Sequence, residues 1–165
     1  MFRKMLLAYK WRKLRLLVWE RRLLQRLDDL SPRISPAVQS SLHVAWGPFY
    51  GGSVILDRTY SKAKIYVQIP FDRYVTDDER HVMALYSISP RDLPYFIFFH
   101  ECYHLIDGLA HLDRREGKGL DTYQANLKRA ARQSSDYRNL PIEASADDFA
   151  YRQFVELNRK ATKAG

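Results

Sequence analysis

Two histidines and a glutamate stand at a spacing that chemistry can use. Residues 96–108 read FIFFHECYHLIDG and contain His100-Glu101-Cys102-Tyr103-His104, the pattern H-E-x-x-H. On an α-helix, positions i and i+4 share one face about one turn apart. Two imidazoles so placed can hold one Zn2+, while the Glu beside the first His is angled toward a water rather than toward the metal. Phe96-Ile97-Phe98-Phe99 precedes the pattern and Leu105-Ile106 follows it, so the helix is expected to be buried. Buried imidazoles and a buried carboxylate are costly unless they are paired or ligate a metal.

A four-coordinate catalytic zinc needs a third protein ligand and keeps one position for water. Residues 141–150, PIEASADDFA, offer one: Glu143 and Asp147 are again spaced i, i+4, and the small Ala144 and Ala146 would let their helix approach another. The two motifs together resemble the gluzincin metallopeptidases, whose second motif runs E-x-x-A-D or close to it. The form E-x-x-A-D-x-F-A is similar to the membrane-embedded CAAX-prenyl endopeptidase relatives. The small size and preceding strand are more similar to the soluble ImmA/IrrE-type peptidases. The resemblance covers roughly residues 60–155. It implies a zincin-like fold and a zinc metallopeptidase acting on a protein or peptide substrate. His100, His104 and Glu143 would be the zinc ligands, Asp147 would orient a zinc-bound His, and Glu101 would be the general base. The 38 residues between His104 and Glu143 make a longer insert than the compact members lead one to expect.

Other candidates surround the motif. In the metzincin pattern a Gly and a third His follow at fixed places. Here Gly108 and His111 each fall one residue late, about 100° around a helix, which disfavours His111 as third ligand. Asp107, three residues after His104, lies on the metal face. It either hydrogen-bonds a ligand imidazole or is an exposed helix-end carboxylate. Tyr103, His111, Tyr123, Tyr137 and Tyr151 are all candidates for a donor to an oxyanion. Cys102 falls off the His100/His104 face and reads as a small apolar residue. His43 and His81 read as ordinary strand and helix residues.

The elements that must carry these groups follow from periodicity. The expected class is α+β: a long N-terminal helix, a small antiparallel sheet of about three strands, the H-E-x-x-H helix, and a C-terminal helix bearing Glu143. Residues 3–29 form an unbroken amphipathic pattern, with Leu7, Trp11, Leu14, Val18, Leu24 and Leu27 as the stripe, broadened by Leu6, Leu17 and Leu23. Residues 31–40 are a linker with two prolines. Leu42–Trp46, Ser53–Leu56 and Ala63–Ile69 read as strands, with an antiparallel meander as the simplest topology. Lys64–Ile69 alternates at period two. By the resemblance it is the strand above the active-site helix, able to pair with an extended substrate. Thr76-Asp77-Asp78-Glu79 is a capping box for a helix to about Tyr86. Pro94 suits the first turn of the motif helix, and Gly108 its C-terminal stop. Residues 109–119 read as a loop. Asp121 caps a helix to about Gln133, and Asn139 caps the last helix, which frays from Lys160.

Composition bounds the rest. At 165 residues one compact unit is expected, with residues 1–30 as a basic helix, 31–40 as linker and 41–160 as the zincin-like body. One cysteine excludes an intrachain disulfide, and no apolar run approaches the ~18 residues that span a bilayer. The expected location is the cytoplasm. The net charge of +8 is concentrated in residues 1–30, where nine Lys/Arg face Glu20, Asp28 and Asp29. That basic helix supports a second reading, a catalytically silent zincin-fold regulatory protein binding nucleic acid or an acidic partner through residues 1–30. Oligomeric state is left open by the sequence.

Overall fold

The computed structural model describes residues 2–72, 74–112, 125, 128–129, 132 and 140–163. Helix α1 (Phe2–Leu30) leads through a 3-10 turn at Ser31–Arg33, where Pro32 fits a first turn that needs no N–H, to strand β1 (Gln39–Gly47). Strands β2 (Gly51–Leu56) and β3 (Lys62–Pro70) follow, then α2 (Asp77–Tyr86), α3 (Leu93–Leu112) and α4 (Pro141–Lys163). The class is α+β, as expected.

The sheet is mixed rather than the expected antiparallel meander. Its order is β1-β3-β2: β1 runs parallel to β3, from Gln39↔Lys62 to Gly47↔Pro70, and β2 runs antiparallel to β3, from Gly51↔Gln68 to Leu56↔Ala63. The reason lies in β3, whose Ala63, Ile65, Val67 and Ile69 are all buried, making it the most apolar strand and the natural centre. The Pro48–Tyr50 link carries the chain across the end of β3. Gly47 makes room for this, because a Cβ there would lie within 2.3 Å of the Gln68 side chain, whose Nε2 donates to the Phe49 carbonyl at 2.9 Å. At the β2–β3 turn the Asp57 carboxylate accepts from Thr59 Oγ1 (2.6 Å) and Lys62 N (2.9 Å). These hydrogen bonds hold its pKa down to about 2.

One sheet face buries Leu42, Val44, Ile65, Val67 and Ile69 with Phe98, Phe99 and Leu105 of α3. The other face carries His43, edge-to-face with its register partner Tyr66 at 5.5 Å, and Lys64 over the same ring, so His43 is spent on sheet packing. His81 is an exposed residue of α2.

Helix α1 is present as expected, but only part of the expected stripe is buried. Leu23, Leu27 and Leu30 are buried and Leu16 and Trp19 partly so, while Trp11, Leu14, Leu17, Val18 and Leu24 are exposed. Apolar residues occur around much of this helix, so period alone does not select a face. The choice is made by what receives it: Trp19 docks edge-to-face on Tyr95 at 5.1 Å, and Leu23, Leu27 and Leu30 join the sheet core. Helix α2 carries the expected capping box between Thr76 and Glu79, and Ser87 in the left-handed region (φ 53°) ends it. Gly108 does not stop α3. It is buried inside the helix, which runs on to Leu112 because Leu105 and Leu109 continue the buried stripe. Helix α4 lies along α3 with Ala146 and Ala150 fully buried and Phe149 packed on Tyr103 at 5.6 Å. Its helical conformation extends to Lys163, past the expected fraying point at Lys160. Of the helix expected over 121–133, residues 125, 128–129 and 132 are described and helical; the rest of it and the Asn139 cap lie outside the described residues.

No helix among the described residues is long and apolar enough to cross a membrane.

Candidate metal centre

The two motifs meet. The i, i+4 spacing on α3 puts the His100 and His104 Nε2 atoms 3.0 Å apart, with their rings edge-to-face at 4.7 Å. Glu143, in the first turn of α4, faces both: Oε2 is 3.2 Å from His100 Nε2 and Oε1 is 3.6 Å from His104 Nε2. One donor atom from each residue can be chosen so that all lie within 4.8 Å of one another, close enough to bind a metal ion. Donors on a tetrahedral ion at 2.0–2.1 Å are separated by about 3.3–3.4 Å. The three contacts at 3.0, 3.2 and 3.6 Å bracket that spacing.

Asp147, one turn after Glu143, decides the chemistry of this cluster. Its Oδ1 accepts a hydrogen bond from His100 Nδ1 at 2.8 Å. With the proton of the neutral ring fixed on Nδ1, the lone pair of Nε2 points toward the Glu143 carboxylate and His104. Both carboxylates are buried, at 4% exposure for Glu143 and 6% for Asp147. A lone pair facing a carboxylate oxygen at 3.2 Å is repulsive unless a positive charge lies between them. Without metal that charge is a proton. Burial favours the neutral His100 ring, yet the hydrogen bonds to Asp147 and Glu143 and the charge of Glu101 outweigh it and hold the pKa up at about 9. A divalent cation satisfies the same demand with the donor set His, His, Glu.

Glu101 lies beside this cluster and is not part of it. Its side chain is 8% exposed, and burial raises its pKa, opposed by the charges of His100 and His104. It rests against the backbone of Gly52 on β2: a Cβ at Gly52 would come 2.4 Å from Glu101 Cγ and 2.5 Å from Oε1. Glu101, His100, His104 and Glu143 line a cavity of about 620 Å³ whose other wall includes Tyr50 and Gly52. Both β2 and β3 pack on α3, and the strand that meets Glu101 is the edge strand β2 rather than the Lys64–Ile69 strand β3. In the centre of the sheet, β3 has its backbone groups engaged by β1 on one side and β2 on the other.

The remaining candidates fall elsewhere. His111 Nδ1 donates to the Asp107 carbonyl at 2.8 Å, and the Asp107 carboxylate lies 3.8 Å from the same nitrogen, one turn beyond the cluster. Tyr103 has its ring 6.2 Å from that of His104 and packs on Phe149. Tyr151 stacks on Tyr86 at 5.0 Å. Tyr123 and Tyr137 lie outside the described residues. Cys102 is fully buried, and burial pushes its thiol well above the usual range. Gly52 and Tyr50 were not singled out by the sequence. The only signal was the Gly51-Gly52 pair, which reads as punctuation between strands.

Compared with protein-family models, with curated proteins and with solved structures, the chain matches none.

Proposed function

We propose that the chain is a zinc-dependent metallopeptidase of the gluzincin type, with His100, His104 and Glu143 as ligands and Glu101 as general base. The observation that carries this reading is the 2.8 Å contact between His100 Nδ1 and Asp147 Oδ1: with a proton held there, Nε2 is turned toward the buried Glu143 carboxylate, where a cation belongs. Two nitrogens and one oxygen are a donor set that suits zinc, and three protein ligands are the number of a catalytic rather than a structural site. Zinc held there supplies Lewis acidity for a carbonyl and lowers the pKa of a water toward about 7.

The protein's own groups do the rest. The Glu101 carboxylate accepts a proton from the attacking water and delivers it to the departing amine. Burial raises its pKa, which makes it a stronger base than an exposed carboxylate. Asp147 fixes the orientation of His100. The outer edge of β2 offers backbone groups to an extended peptide laid along the cavity.

The test is metal content by mass spectrometry on untagged protein, wild type beside Glu143→Ala, followed by peptide cleavage. Wild type should hold about one zinc per chain and Glu143→Ala much less. Glu101→Gln should keep zinc and lose about 10²–10⁴ in turnover. A wild type that takes up no zinc, or a Glu101→Gln protein with full activity, removes this reading.

A further inference from the structure

We propose that the catalytic cleft continues past Tyr50 into an arginine-lined cavity that binds acidic side chains of the substrate. The enzyme would thereby select peptides carrying Asp or Glu a few residues to one side of the scissile bond. The proposal rests on the peptidase reading and names its substrate class.

The second cavity has a volume of about 800 Å³ and is lined by Arg15, Arg22, Arg91, Trp19, Tyr95 and Tyr50, among others. Tyr50 lines the metal-centre cavity as well, so one buried ring forms a wall of both. Its hydroxyl donates to the Pro90 carbonyl at 3.1 Å, which fixes the wall. Arg15 lies over the ring of Trp46 at 5.2 Å and Arg22 over the ring of Trp19 at 5.5 Å. Stacking restrains a guanidinium and leaves its N–H edge for a planar anion. Among the described residues no carboxylate forms an ion pair with Arg15, Arg22 or Arg91. The one carboxylate in the lining, Asp92, accepts from Ser89 Oγ at 2.6 Å, and its carbonyl receives the Tyr95 and Phe96 N–H groups at the start of α3.

The two cavities differ in charge. The metal-centre cavity is lined by Asp78, Glu79, Glu101 and Glu143 as well as the two histidines, and the second by three arginines. An acidic peptide is repelled from the first set of walls and held by the second, which gives it a register. Tyr50 precedes Gly52 by two residues, about 7 Å of extended chain. The favoured acidic positions therefore begin about two residues from the scissile bond and continue for a further two or three. A nucleic acid would also find three arginines attractive. The shared wall with the catalytic cleft favours the peptide.

Cleavage of a randomised peptide library by the zinc-loaded protein, read by mass spectrometry, tests the preference. Fluorescence anisotropy of a labelled decapeptide bearing three consecutive glutamates, on uncutting Glu101→Gln protein, tests binding. Asp and Glu should be enriched on one side of the cut. The double charge reversal Arg22→Glu/Arg91→Glu should abolish that enrichment and weaken the decapeptide about tenfold or more. Arg33→Glu/Arg58→Glu, with the same change in net charge but outside both cavities, should do neither. Cleavage without acidic preference, or equal effects of the two reversals, overturns the subsite and leaves the peptidase standing. Binding of a thymidine oligonucleotide at the same arginines, tighter than the decapeptide, assigns the groove to nucleic acid and overturns it too. Failure of wild type to cleave any library member retires the peptidase reading and the subsite with it.

Discussion

Replacing Gly52 by alanine adds one methyl group and should disable Glu101, the proposed general base, without disturbing the proposed metal ligands. A Cβ at this position would lie 2.4 Å from Glu101 Cγ, 2.5 Å from Oε1 and 2.7 Å from Cδ, all below the closest approach of real carbon atoms. The Glu101 side chain must move by roughly 1 Å or change rotamer, since van der Waals contact between such atoms lies near 3.5 Å. A displacement of about 1 Å at a reacting group is worth about 100-fold, and complete loss of a general base about 10²–10⁴-fold. Turnover should therefore fall by at least about 100-fold. Stability should fall by about 1 kcal/mol, the low end for overpacking, because the obstructing atoms belong to one side chain with a cavity beside it. Gly51→Ala is the matched control. It pairs with Gln68 on the outer face of the sheet, and a Cβ there meets nothing within 4 Å. Zinc content, thermal midpoint and turnover on a short peptide should be measured for both. Turnover of Gly52→Ala within a few-fold of wild type, at full zinc content, would refute the idea that β2 positions Glu101.

Three further outcomes follow from the same geometry. In metal-free protein the His100 pKa is raised from 6.5 to about 9, so its contribution to stability is complete below pH ~6.5 and lost as pH rises through about 9. Thermal midpoints in chelator should decline over that window, and zinc binding at neutral pH should release protons, seen as a buffer-dependent enthalpy in calorimetry. Asp147→Asn replaces the charged partner of His100 Nδ1 and should weaken zinc about 10–100-fold, measured by competition with a chromophoric chelator; unchanged affinity would show that Asp147 does not tune the site. Cys102 is fully buried with its thiol pushed up by burial, so a thiol reagent should label none of it in native protein and one equivalent after unfolding.

What was legible in the sequence was what chemistry constrains by spacing. His100 and His104 were marked by an interval that puts two imidazoles on one helix face; Glu143 and Asp147 share the same interval, but their roles came from the resemblance to the second gluzincin motif, and the structure brings the four side chains together. The Thr76–Glu79 capping box was legible for the same reason, being a local hydrogen-bond exchange. Sheet order was not. Whether β1 and β2 pair with each other or flank β3 depends on a three-residue link and on the relative burial of three strands, neither of which is local. The buried face of α1 was hidden by excess rather than by want of signal, since leucines on several sides of that helix leave the choice to Tyr95 and the sheet.

Gly52 was illegible for a deeper reason: its contribution is the absence of an atom. Glycine inside a strand weakens it, by about 0.5–1 kcal/mol relative to alanine in regular structure, so its presence in β2 calls for a compensating use. Alternation along the strand supplies one. Gly52 pairs with the buried Val67 and faces α3, where Glu101 fills the space a side chain would take. An alternative strand order with β2 away from α3 would leave Glu101 without this wall. The sheet order that the sequence did not reveal and the motif helix that it did are thus joined at one residue. The same edge position that brings Gly52 to Glu101 also brings Tyr50 to the boundary between the acidic and the arginine-lined cavities. One edge strand thus lies against Glu101, and the residue just before it stands between the two charged cavities.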